Sequence, residues 1–164
     1  MADSDKKAIY SVDTSAIIDW QSRYYPPDVF ISIIDKIDEL LEKGRIFAPS
    51  IVKEEIEAYG SVDLTKWAKD HPTLFVPLDD LIAEALAIQN KFPGLRDPKA
   101  EHDEADAYVI ALAKLREGVV ITGETSAAEK NKPKRSHYIP DVCSALGISS
   151  IGFLGMMRKE KWKI

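Results

Sequence analysis

The chain has 164 residues, which predicts one domain that is large enough to bury a core without disulfides. Its net charge of −5 excludes nucleic-acid binding through overall charge, although a local basic stretch could still bind nucleic acid. A single cysteine, Cys143, excludes an intrachain disulfide, and the polar N-terminus has no apolar signal segment, so we expect a cytoplasmic protein that does not enter a membrane.

The first half of the chain alternates short apolar runs with segments of helical spacing. In chain order, it predicts a strand at 8–12, a helix at 14–23, a helix from 27 or 28 to 43, a strand at 45–48 and a helix at 51–59. The second helix has apolar residues at helical spacing from Val29 to Leu41 and ends at Gly44. Ser50 is the predicted N-cap of the third helix.

The second half continues the alternation. It predicts a short helix around Trp67, a strand at 74–76, helices at 79–92 and about 101–116, a strand at 119–122, a helix at 141–146 and a strand at 148–153. Strands separated by helices predict a parallel-sheet α/β/α sandwich. We therefore expect a single domain over 1–164, with a core at about 8–153 and a basic tail at 154–164.

Acidic residues fall where such a sheet gathers ligands, beyond the carboxyl ends of its strands. Asp13 follows the first strand, and Glu124 follows the fourth. Asp106 begins the nearly all-apolar run at 107–113, which predicts a buried central helix. Each has an ordinary alternative, because Asp13 could cap a helix, Glu124 could sit in a turn, and acids favour a first helical turn.

Glu55 lies on the apolar face of the third predicted helix, together with Val52 and Tyr59. A carboxylate in an apolar stripe is costly unless it is paired or bound to a metal, or reaches water at the edge of the stripe. Asp103 and Asp141 are further candidates for the same site. The ordinary roles of these two residues are stabilising a first helical turn and capping the following short helix.

A pocket lined by Asp13, Glu55, Asp106 and Glu124 would suit a divalent cation. Carboxylate oxygens are the ligands that Mg²⁺ and Mn²⁺ prefer, and the ion would keep crowded carboxylates ionised. No cysteine and histidine cluster has zinc spacing, and the three histidines are scattered along the chain. A bound metal would then have to activate the attacking water.

These residues resemble the PIN domain, a metal-dependent nuclease fold. The matching motifs are Val12-Asp13-Thr14-Ser15, Glu55-Ile56 after Pro49-Ser50-Ile51-Val52, the helix starting at Asp106-Ala107-Tyr108-Val109, and Thr122-Gly123-Glu124. The resemblance spans about residues 9–153, nearly the whole chain. It departs from the family in Glu124, which replaces the usual Asp, and in lacking the aromatic residue that often follows.

The resemblance implies hydrolysis of single-stranded RNA with Mg²⁺ or Mn²⁺, and it names the four acids as catalytic residues and metal ligands. The segment Ile139-Pro140-Asp141-Val142-Cys143 is similar to a bacterial and archaeal subgroup often found in toxin–antitoxin pairs. An antitoxin protein that blocks the pocket, and a homodimer, are further implied partners.

The basic residues of one predicted loop are the candidates for RNA binding: Lys130, Lys132, Lys134 and Arg135. The ordinary interpretation is a solvated loop. Tyr24 and Tyr25 could stack on unpaired bases, although tyrosines at such positions are more often core or interface residues.

Two other classes of function remain open. A non-catalytic PIN-like module for binding or assembly would keep the fold without cutting RNA. A haloacid-dehalogenase-type phosphatase is a weaker alternative, because it needs an Asp two residues after Asp13 and the chain has Ser15 there. A P-loop NTPase is excluded because the chain has no G-x-x-x-x-G-K-[ST] motif.

Overall fold

The computed structural model of the chain describes residues 7–99 and 104–164. Its centre is one five-stranded sheet in which every strand pair is parallel. The strands are β1 (Tyr10–Val12), β2 (Ile46–Pro49), β3 (Phe75–Val76), β4 (Val119–Ile121) and β5 (Ser150–Ile151), and they lie in the order β3-β2-β1-β4-β5. The predicted parallel α/β/α sandwich is therefore confirmed.

Eight α-helices in the described residues flank this sheet. They are α1 (Thr14–Ile18), α2 (Ile31–Glu42), α3 (Ser50–Tyr59), α4 (Val62–Asp70), α5 (Ile82–Lys91), α6 (Asp106–Leu115), α7 (Ile139–Leu146) and α8 (Phe153–Lys159). A π-helical segment, Asp19–Tyr24, continues α1. None of the helices in these two described ranges is long and apolar enough to cross a bilayer.

Both faces of the sheet are covered, as the side chains of the central strand β1 show. Tyr10 donates a hydrogen bond to Glu160, which follows α8, whereas Ser11 donates to the carbonyl of Val109 in α6 at 2.7 Å. Successive side chains of a strand point to opposite faces, so α6 and α8 lie on opposite sides of β1. All three residues of β1 are buried, as expected for a central parallel strand.

Several helix boundaries differ from the sequence prediction, among them the starts of α2, α5 and α6. The second helix was predicted to start at residue 27 or 28, but α2 begins at Ile31, and Val29 is 66% exposed. The carbonyl of Pro26 accepts hydrogen bonds from the amides of Val29 and Phe30, which forms a separate turn before the helix. Ser50 is not an N-cap, because it already lies within α3 and Pro49 is the N-cap.

The inward face predicted for Tyr59 is also wrong, because its side chain is 81% exposed. Residues 57–59 are all exposed, so the last turn of α3 projects beyond the core. The strand predicted at 148–153 is shorter, and Phe153 starts α8 instead. Helix α8 buries Phe153, Met156 and Met157 against the core.

The end of α8 is fixed to the start of β1 by a polar cluster. The two terminal nitrogens of Arg45 donate to the two carboxylate oxygens of Glu160 at 2.9 and 2.6 Å, and Arg45 Nε donates to the carbonyl of Ala8 at 2.9 Å. The hydroxyl of Tyr10 also donates to Glu160. Although burial favours the neutral acid, these hydrogen bonds hold the pKa of Glu160 below its ordinary value.

We predict that Glu160→Gln lowers the free energy of unfolding by about 2 kcal/mol in urea titrations. This is less than the loss for breaking a fully buried ion pair, because both side chains keep some contact with water. The control is Glu84→Gln, which removes the more exposed ion pair between Glu84 and Lys114 and should cost less than about 1 kcal/mol. Equal losses in the two variants would show that the cluster adds nothing beyond a surface pair.

Candidate functional site

The candidate site lies where the strand order of the sheet reverses direction. From β1 the chain adds β2 and β3 on one side, and β4 and β5 on the other. The carboxyl ends of β1 and β4 are therefore adjacent, and the amide of Asp13 donates to the carbonyl of Ile121 at 2.8 Å. Open α/β sheets bind ligands at such a reversal point. Asp13 and the segment after β4 thus lie together, as the sequence predicted.

Asp13 is the buried centre of the site, with a side chain that is fixed by two hydroxyl groups. Only 4% of the surface of Asp13 is accessible to solvent. Its Oδ2 atom accepts hydrogen bonds from Ser15 Oγ at 2.6 Å and from Thr122 Oγ1 at 3.1 Å. Ser15 Oγ also accepts from the amide of Gly123 at 2.8 Å, so this hydroxyl joins the ends of β1 and β4.

Glu55 connects α3 to the start of α6. Its Oε2 atom accepts a hydrogen bond at 2.9 Å from the Oγ1 atom of Thr14, the residue that follows Asp13 in the chain. Its Oε1 atom accepts a hydrogen bond at 3.1 Å from the amide of Ala105, the residue that precedes Asp106. The carboxylate therefore lies between the segments that carry Asp13 and Asp106.

The remaining two predicted acids approach the same place from α6 and from the end of β4. Asp106 is the first residue of α6. Glu124 Oε2 accepts a hydrogen bond from the amide of Ile139 at 3.1 Å, which ties the end of β4 to the start of α7.

The four acids lie close enough together for their charges to affect one another. Burial is the main cause that raises the pKa of Asp13, Glu55 and Glu124, and it raises the pKa of Asp106 well above its ordinary value. The charge of Asp13 is a further cause of the raised pKa at each of the other three acids. Asp13 is therefore the common neighbour, and the pocket opposes full ionisation of the set.

One arginine counters this negative charge. Arg135 Nη1 donates to Asp106 Oδ2 at 2.9 Å and lies 3.5 Å from Glu104 Oε2, and Nη2 lies 3.5 Å from Glu124 Oε1. Nη1 also donates to the carbonyl of Leu95 at 2.9 Å. The side chain of Arg135 is only 15% exposed, so it forms part of the pocket wall.

Two acids beside the pocket were not among the predicted site residues. Glu104 Oε2 lies 3.5 Å from Arg135 Nη1, and the residue stands just before α6, where acids are common because they favour a first helical turn. Asp19 lies against Gly123, where a larger residue would clash with its carboxylate. Burial raises the pKa of Asp19, and Arg23 opposes the shift. The only sequence signal for either residue is its closeness along the chain to a predicted acid.

The other candidates lie at the edge of the site or outside the described residues. Asp103 falls in the part of the chain that the structure does not describe. Asp141 Oδ2 accepts from the amides of Tyr138 and Ala127 at 2.8 and 3.0 Å, so it completes the N-terminal cap of α7. Its role as a metal ligand stays a prediction.

The predicted basic loop does lie next to the pocket. Lys130 donates to Thr125 at 2.8 Å and lies 4.4 Å from the centre of the Tyr138 ring. Lys132 and Lys134 are exposed. Among these four basic residues, Arg135 is the one that reaches the carboxylates.

The four carboxylates are suitable ligands for a hard divalent cation, but their present positions do not form a complete coordination site. The pocket contains the guanidinium of one arginine, Arg135, and four carboxylates, so it has an excess of acidic groups. The carboxylates are those of Asp13, Glu55, Asp106 and Glu124. Oxygen donors of this kind suit Mg²⁺ or Mn²⁺. Within residues 7–99 and 104–164, no group of three or more Asp, Glu, His or Cys side chains has metal-ligand spacing. The side chains would have to close around an ion.

We predict that Asp13→Asn stabilises the metal-free protein at neutral pH. Because the folded pKa of Asp13 lies above the unfolded value, the folded state binds more protons between the two values, and the free energy of unfolding falls as pH rises through that window. The amide keeps an acceptor for Ser15 and Thr122 without the charge. We expect a gain of about 1–3 kcal/mol at about pH 7.5 that shrinks towards about pH 4.

Thermal unfolding across this pH range is the measurement, and Asp63→Asn is the control. Asp63 is an exposed acid in the first turn of α4, so its removal should change stability by less than about 1 kcal/mol without this pH dependence. A gain for Asp13→Asn that is constant with pH would contradict the electrostatic explanation.

Comparison with curated proteins finds no significant match. A family model described as a domain of unknown function (DUF4411) matches residues 10–164, which cover the whole sheet and all the candidate site residues. The chain therefore belongs to the DUF4411 family.

Proposed function

We propose that the protein is a divalent-metal-dependent endoribonuclease that hydrolyses phosphodiester bonds of single-stranded RNA. The observation that supports this best is the convergence of Asp13, Glu55, Asp106 and Glu124 at the reversal point of the sheet. The resemblance to PIN domains suggests the reaction and the substrate class.

In this proposal Asp13, Glu55, Asp106 and Glu124 would hold Mg²⁺ or Mn²⁺, and the bound ion would supply water activation and stabilisation of charge on the scissile phosphate. Ser15 and Thr122 orient the Asp13 carboxylate through their hydroxyl groups. Neither described histidine contacts these acids: His71 pairs with Asp38, and His137 packs against Phe92. His102 lies outside the described residues.

The substrate would approach over the loop between β4 and α7. Lys132 and Lys134 are exposed there and could contact phosphates, which would make RNA binding weaken with salt. A cleft beside Asp106 is also lined by Arg96. Of the two tyrosines considered for base stacking, Tyr24 is 58% exposed, whereas Tyr25 packs against Phe30 and Phe153.

A non-catalytic module for binding or assembly is the second candidate. The ion pairs of Arg135 within the pocket and the lack of a complete coordination site among the described residues favour it. Binding of Mn²⁺ without any RNA cleavage would support the module. The phosphatase alternative is weaker, since Ser15 stands where the second Asp is needed and serves Asp13 as a hydrogen-bond donor.

We predict that Asp106→Asn lowers the rate of single-stranded RNA cleavage with Mn²⁺ by about 100-fold or more, as when one charge-stabilising group is lost. The assay is gel analysis of a labelled RNA, with circular dichroism to verify folding. Asp63→Asn makes the same chemical change at an exposed first helical turn and should keep the wild-type rate. Undiminished cleavage by the Asp106→Asn protein would remove Asp106 from the mechanism.

We further propose that the protein acts as the toxin of a toxin–antitoxin pair. Expression of the wild-type chain alone should slow the growth of a bacterial host, because unrestrained cleavage degrades its RNA, whereas the Asp106→Asn chain should not. Growth curves at matched expression levels measure the difference. Harmless expression of an RNA-cleaving wild-type protein would count against the toxin role and leave the nuclease proposal standing.

A further inference from the structure

We infer that Arg135 serves as the resident cation of the carboxylate pocket in the metal-free protein, and that a divalent ion binds by displacing its guanidinium. This inference rests on the proposed metal site, but not on RNA being the substrate. It makes Arg135 a residue that sets metal affinity, in addition to its predicted role in RNA binding.

The contacts of Arg135 involve oxygens that a metal would need. Its Nη1 and Nη2 atoms reach Asp106 Oδ2 at 2.9 Å and Glu124 Oε1 at 3.5 Å. The other oxygen of Glu124 already accepts from the amide of Ile139. A cation that recruits Asp106 and Glu124 therefore competes with the guanidinium for the same side of the pocket.

Charge balance also favours exchange over joint occupancy. With Arg135 in place, the guanidinium compensates part of the buried negative charge. A divalent ion placed a few ångströms from a guanidinium in a partly buried pocket would be repelled strongly. The pocket should therefore hold either the guanidinium or the metal at this position.

The arginine has support on its outer side, which is consistent with a defined position. Its guanidinium carbon lies 4.6 Å from the centre of the Tyr138 ring, and Nη1 donates to the carbonyl of Leu95. The Tyr138 hydroxyl accepts from the amide of Lys134, which fixes the ring relative to the loop.

The test is the dissociation constant of Mn²⁺, measured by isothermal titration calorimetry on the full chain without RNA. We expect Arg135→Gln to bind Mn²⁺ about tenfold more tightly than the wild type, because the competing cation is gone. Arg135→Lys keeps the charge but cannot bridge the acids as a planar fork, so an intermediate affinity is expected. If Arg135→Gln does not fold, the Arg135→Lys variant still tests the inference.

Lys130→Gln is the matched control, because it removes the same charge from the same loop. Lys130 acts on Glu124 through its charge, but it donates its hydrogen bond to Thr125 and forms no described ion pair with the pocket acids. Its effect on Mn²⁺ affinity should stay below about threefold and disappear at high salt, as for a screened charge.

Unchanged or weaker Mn²⁺ binding in both Arg135 variants would overturn the inference. An equal gain in Lys130→Gln would overturn it too, since the effect would then be one of net charge alone. No detectable Mn²⁺ binding in Arg135→Gln would show that the pocket does not take the ion. Tighter Mn²⁺ binding without RNA cleavage would reject the nuclease proposal alone, and cleavage with unchanged affinity would reject the Arg135 inference alone.

Discussion

The constraint behind this structure is the concentration of negative charge at one edge of a buried sheet. Asp13 is almost inaccessible to water, and burial, together with the charge of Asp13, raises the pKa of Glu55, Asp106 and Glu124. Such a set is unfavourable in a folded protein unless donors and cations surround it. The hydroxyls, the amides and the guanidinium of Arg135 meet this requirement in part, and the acids remain partly uncompensated. This imbalance is the physical reason for proposing that the pocket binds a further cation.

The topology explains why acids so distant in the chain meet. Strands β1 and β4 are neighbours at the reversal point, so the residues that follow them lie side by side. Helix α6 packs against both of these strands, which brings its first residue, Asp106, to the same edge. Glu55 then joins α3 to α6 through the amide of Ala105. The site is thus a consequence of strand order and of where each helix begins.

Local patterns were enough to predict the strands, most helices and the positions of the four acids. Apolar runs and helical spacing are properties of neighbouring residues, so they are visible in the sequence. The role of Arg135 was not visible in the sequence, because Arg135 lies in a loop without periodicity and contacts Asp106 across 29 positions of the chain. The pairing of Arg45 with Glu160 spans 115 positions and was missed for the same reason. The prediction that Tyr59 is buried failed for a different reason, because helical spacing defines the apolar face of a helix but not how far the core extends along that face.

In the proposed nuclease, the loop between β4 and α7 would link the charge of the pocket to the charge of the RNA. Because uncompensated carboxylates repel a phosphodiester, the proposed reaction would require a cation in the pocket before an RNA phosphate could enter it. Between β4 and α7, Arg135 points to the acids while Lys132 and Lys134 face solvent. If a metal takes over the neutralisation of Asp106 and Glu124, the guanidinium becomes a third free positive group on this loop. Metal loading would then strengthen the attraction for phosphate twice, by removing negative charge from the pocket and by adding a donor at its rim.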